Sequence, residues 1–106
     1  MRAYAMQWDE KESGWGIRPD GWSLHLSAAD YESHLARYWA AVPKPLPREY
    51  SRPVHGFALR AVELPDDHAF ARQLRERKEL RVLQFTEECR ELERLIGLPR
   101  TFRAPR

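Results

Sequence analysis

The chain has 106 residues, of which 42% are hydrophobic, 11% aromatic and 32% charged, enough apolar bulk for one core and too little chain for two. No apolar run approaches the roughly 18 residues of a membrane-spanning helix. Four Trp, four Tyr and four Phe at a net charge of +2 exclude a wholly disordered chain. With 18 basic against 16 acidic side chains, the surplus is smaller than a DNA-coating protein usually carries and opposite in sign to that of an acidic nucleic-acid mimic.

Residues 3–9 alternate, with Tyr4, Met6 and Trp8 on one face and Ala5 and Gln7 on the other, which predicts a strand. The polar stretch from Asp9 to Gly14 predicts a turn. Residues 15–26 read as a hairpin reversing at Pro19-Asp20-Gly21, where proline presets the first turn position and glycine supplies a positive φ. That register puts Trp22, Leu24 and Leu26 on one face and Trp15, Ile17, Ser23 and His25 on the other. Ser27 followed by Asp30 predicts a capped helix over residues 28–41, with Tyr31, Leu35, Tyr38, Trp39 and Val42 as its apolar stripe. The prolines from Pro43 to Pro53 predict a stiff linker.

His55 to Leu64 is apolar on both faces apart from Arg60 and Glu63, as in a central strand. Pro65-Asp66-Asp67 stops it and starts a helix over residues 67–78, with Phe70 and Leu74 facing inward. Residues 80–85 fit a short strand better than part of one long helix, because Val82 and Phe85 favour a strand and Thr86 can cap a separate helix after it. The last helix, residues 87–97, points Cys89, Leu92 and Ile96 inward and ends at Gly97. The expectation is a single α+β domain over residues 1–99, an antiparallel sheet covered on one face by three helices, with a basic tail over residues 100–106.

Cys89 is the only cysteine, so an intramolecular disulfide is excluded. The first residues lack the apolar core of a signal peptide, and a cytoplasmic protein is expected. His25, His34, His55 and His68 have no metal-ligand spacing, and no phosphate-binding glycine loop precedes a helix, so neither metal nor cofactor is expected. Ser23 and His25 share a strand face but are placed about 7 Å apart, too far for a nucleophile and its base. Cys89, on an apolar stripe, reads as a core thiol.

Three functional readings remain. Trp15, Ile17, Arg18 and His25, on the barer face of the hairpin, predict a contact site for another macromolecule, most simply a protein, since Trp and Arg anchors dominate interface energies. Arg72, Arg75, Arg77, Lys78 and Arg81 face only Glu76 and Glu79, a basic run that with the tail could bind nucleic acid. A metal-free ribonuclease would use His25 or His55 as base and Arg18 and Arg60 against the phosphate. No catalytic residue is assigned, and the protein is expected to be a non-enzymatic binder.

The run Trp15-Gly16-Ile17-Arg18-Pro19-Asp20-Gly21-Trp22-Ser23-Leu24-His25-Leu26, with a helix after it and then Pro47-Arg48-Glu49-Tyr50-Ser51-Arg52-Pro53, resembles a group of small uncharacterised bacterial and phage proteins. The resemblance spans about the first two thirds of the chain and carries over no catalytic residue. It implies a protein of phages or mobile elements that could act as an inhibitor of a host defence complex, of the anti-CRISPR type.

Overall fold

The N-terminal alternation continues through one long strand, β1 (Arg2–Glu12), in a computed structural model that describes residues 1–97. It turns at Ser13-Gly14 and returns as β2 (Gly16–His25). The chain therefore does not reverse at Pro19-Asp20-Gly21, as the sequence predicts. Pro19 pairs with Asp9 inside the ladder, and Asp20 and Gly21 together oppose Trp8, a β-bulge between the Gln7–Trp22 and Asp9–Pro19 pairs. The proline-glycine signal marks this bulge, where both residues are tolerated within a strand. Gly21 has φ +90°, and a Cβ there would lie 2.0 Å from the Val82 carbonyl oxygen.

Helix α1 (Ala28–Ala41) starts where predicted, with the Ser27 side chain accepting the Asp30 N–H at 3.0 Å. The proline-rich stretch is not all linker, since β3 (Glu49–Pro53) pairs with Trp8–Glu12 on the outer side of β1. The strand predicted over residues 55–64 shortens to β4 (Arg60–Glu63), which pairs with Arg2–Ala5 on that same side. It borders β1 alone and is not central. Helix α2 (Ala69–Arg77) starts two residues later than predicted, because His68 Nδ1, not an aspartate, caps it by accepting the Phe70 N–H at 3.0 Å.

Strand β5 (Glu79–Val82) pairs with Trp22–His25 and leads into helix α3 (Glu87–Ile96), so residues 67–97 form helix, strand and helix. Lys78, in the left-handed conformation at φ 68°, ends α2, and Thr86 Oγ1 caps α3 by accepting the Cys89 N–H. The fold is α+β: among the described residues, an antiparallel sheet of order β3-β1-β2-β5 with β4 beside β1, and three helices.

The helices divide between the sheet's two faces, where the sequence predicts one covered face. Ala3, Ala5, Trp22, Leu24 and Val82 pack with Phe70 and Leu74 of α2 and with Cys89 and Leu92 of α3. Met6 and Trp8 pack under Tyr31, Leu35 and Tyr38 of α1. The strand period of two sends consecutive large residues to opposite sides of β1 and β2, so both sides need cover. Among the described residues no helix is long and apolar enough to cross a membrane.

Candidate functional site

The apex of the β1–β2 hairpin presents the largest exposed aromatic group. The Trp15 N–H donates to the Glu12 carbonyl at 3.0 Å, closing the turn, and Gly14 (φ +86°) and Gly16 (φ +102°) flank the tryptophan. Trp15 is 79% exposed, and no residue from Lys11 to Gly16 is buried. Ile17, half-buried, comes next on β2. Arg18 Nε donates to Glu10 Oε1 at 2.7 Å and its Nη2 to Glu49 Oε1 at 2.9 Å, so one guanidinium ties β2 to β1 and β3. Glu10, Glu12, Trp15, Ile17 and Arg18 line a shallow cleft of about 220 Å³. The apex combines an indole in water, a guanidinium held by two carboxylates, and a third carboxylate on Glu12.

His25 is not part of this surface. It is fully buried beneath α1, edge-on to Tyr31 at a ring separation of 5.1 Å, because α1 covers the face that the sequence pattern leaves bare. Nor are Ser23 and His25 too far apart to bond. The imidazole reaches back along its strand and sets Nε2 2.8 Å from Ser23 Oγ, which also accepts the Trp8 indole N–H at 2.7 Å. The 7 Å spacing describes the backbone and leaves out the length of the histidine side chain. Ser23 is 1% exposed, so this pair offers no accessible nucleophile. Burial first, and then nearby His34, push the His25 imidazole down to about 4, so it is neutral at neutral pH.

Beside His25 lie two groups that linear spacing does not connect with it. His34 Nδ1 is 2.5 Å from Glu79 Oε2, and Arg37 donates to the same oxygen at 3.0 Å. His34 falls between Tyr31 and Tyr38 at helical spacing, so its place on the inner side of α1 was readable. Glu79 joins only through the β2–β5 register, which sets it opposite His25.

The basic run splits. Arg72, Arg75, Arg77 and Lys78 are exposed on α2 and just past its end, where Arg75 and Arg77 also favour the helix's C-terminal dipole. Arg81 leaves the set, because β5 turns it under α1. There it donates to the Trp22 carbonyl at 2.8 Å, the Asp20 carbonyl at 2.6 Å and Asp20 Oδ2 at 2.8 Å, with its guanidinium carbon 5.2 Å from the Trp8 ring centre. The arginines of the tail lie outside the described residues. The ribonuclease set does not assemble either: His25 is buried, and Arg18 and Arg60 pair with Glu10 and Ala5, five positions apart on β1 and on opposite faces. Comparison of the chain with protein-family models, with curated proteins and with solved structures finds no match.

Proposed function

We propose that the protein acts by binding another protein, with Trp15 at the hairpin apex as the anchor and Ile17 and Arg18 beside it. The observation that carries this reading is the exposed Trp15 indole, held out by a turn between two glycines of positive φ. Buried at an interface, tryptophan and arginine are the side chains that contribute most to affinity. The ion pairs of Arg18 with Glu10 and Glu49 already order its side chain, which lowers the entropy lost on docking. Those two carboxylates and Glu12 repel a phosphate backbone, and this favours a protein partner over nucleic acid at this site. The resemblance of residues 15–26 makes an inhibitor of a host defence complex the first form of such binding to test.

The test is capture of a partner from cells of the source organism, then affinity measurement with purified components. Changing Trp15 and Arg18 together to Ala is expected to weaken binding about 30-fold, equivalent to about 2 kcal/mol. A double variant that binds as tightly as the wild type overturns the reading.

A further inference from the structure

Three ligand-type side chains from three elements converge where α1 crosses β2 and β5. His25 and Glu79 are directly opposite each other on the two strands, and His34 reaches them from the helix. One ring nitrogen of each histidine and a carboxylate oxygen of Glu79 lie within 4.8 Å of one another. His25 is fully buried, whereas the His34 and Glu79 side chains are part-exposed, so an ion has a way in from solvent.

The hydrogen bonds around His25 leave one nitrogen over. Nε2 faces Ser23 Oγ, and Nδ1 is buried with no hydrogen-bond partner. Leaving a buried polar atom unpaired is destabilising, so a fold that keeps one calls for a reason. The indole N–H of Trp8 can only donate, and it occupies one lone pair of Ser23 Oγ. The second lone pair can accept Nε2–H of His25, and in that tautomer Nδ1 carries a bare lone pair. This is the form of imidazole that ligates a cation, its other nitrogen fixed by an outer hydrogen bond. Arg37 gives Glu79 a corresponding outer partner.

We propose that His25, His34 and Glu79 form a binding site for a divalent transition-metal ion, zinc first, with a fourth position open to water. Two imidazoles and one carboxylate are a donor set suited to zinc, which takes such ligands at about 2.0–2.2 Å in tetrahedral geometry. Ligand atoms around such an ion stand roughly 3.4 Å apart, so closure from the observed separations needs side-chain shifts of about 1 Å. The linear spacing of the histidines, which predicts no metal, misses the site because its members are joined by strand pairing and by the lie of one helix.

The test is titration of tag-free, chelator-stripped protein with Co²⁺, monitored by absorbance, and with Zn²⁺, monitored by calorimetry and thermal unfolding. One equivalent is expected to bind, with the visible spectrum of tetrahedral Co²⁺ and a rise in Tm on zinc addition. His34→Gln and Glu79→Gln replace part-exposed side chains and are expected to fold. Each should weaken binding about 100-fold, and Ser23→Ala should weaken it by about tenfold through the outer hydrogen bond. Absence of one-equivalent binding overturns the proposal, as does binding that both His34→Gln and Glu79→Gln retain unchanged.

Discussion

Gly21 and Val82 approach so closely that a Cβ on the glycine would lie 2.0 Å from the valine carbonyl oxygen, with the Gln84 nitrogen at 2.8 Å. Both neighbours are backbone, so no rotamer change can make room. At Gly16 the φ is likewise positive, +102°, but nothing lies within 4 Å. Gly21→Ala should therefore cost roughly 3 kcal/mol or more through overpacking and strain together, and Gly16→Ala only about 1 kcal/mol from backbone strain. Urea denaturation of the two variants compares them directly, and equal losses would contradict the bulge geometry.

Trp22 and Trp15 differ in the same measurement. Trp22 is fully buried, edge-on to Phe57 at 5.6 Å, and its indole N–H donates to Glu93 at 3.2 Å. Its replacement by Ala should cost about 3–5 kcal/mol, a large share of the stability of so small a domain. Trp15→Ala should change stability by less than about 1 kcal/mol. A comparable loss at both positions would mean that Trp15 is covered, and the exposed anchor would fail.

Arg81 and Arg75 separate structural from solvated arginine. Arg81→Ala removes a donor from the Trp22 and Asp20 carbonyls and one of the two donors to Asp20 Oδ2, which keeps Ser51, and uncovers the Trp8 ring, with an expected cost of about 2–3 kcal/mol. Arg75→Ala, on the exposed side of α2, should stay within about 0.5 kcal/mol. Thermal unfolding of the two variants decides between them, and an Arg81 variant as stable as wild type would contradict the network.

The four exposed basic groups of α2 and its end set a limit on nucleic-acid binding. With Arg81 withdrawn, this run offers at most four phosphate contacts, too few for tight binding at physiological salt. Fluorescence anisotropy at physiological salt should find only weak, sequence-independent binding. Sub-micromolar binding abolished by changing Arg72, Arg75 and Arg77 to Glu would transfer the functional reading from the hairpin to α2.

Local signals in the sequence are reliable here where the backbone alone decides them. Ser27 and Thr86 cap their helices as the sequence predicts, Phe70, Leu74, Cys89 and Leu92 face inward, and the strand expected over residues 80–85 forms over Glu79–Val82, leaving Phe85 outside it and exposed. Errors arise where pairing decides. Pro19-Asp20-Gly21 carries turn chemistry that a bulge needs equally, so only the partner strand distinguishes the two. The same ambiguity puts His25 on a bare face in the sequence pattern, because which side α1 covers depends on the chain path after Leu26. Trp15, Ile17 and Arg18 were legible as a group. Glu10 and Glu49, which hold Arg18, and Glu79, which meets His34, needed the register of β1 with β2 and β3 and of β2 with β5.

The hairpin apex is proposed to meet a protein. A photo-reactive phenylalanine analogue at position 15, irradiated in cells of the source organism, tests it most directly, with the same analogue at position 75 on α2 as the comparison. A discrete protein adduct, identified by mass spectrometry, is expected from position 15 and not from position 75. Adducts from position 75 alone, or only nucleic acid captured from position 15, would contradict it.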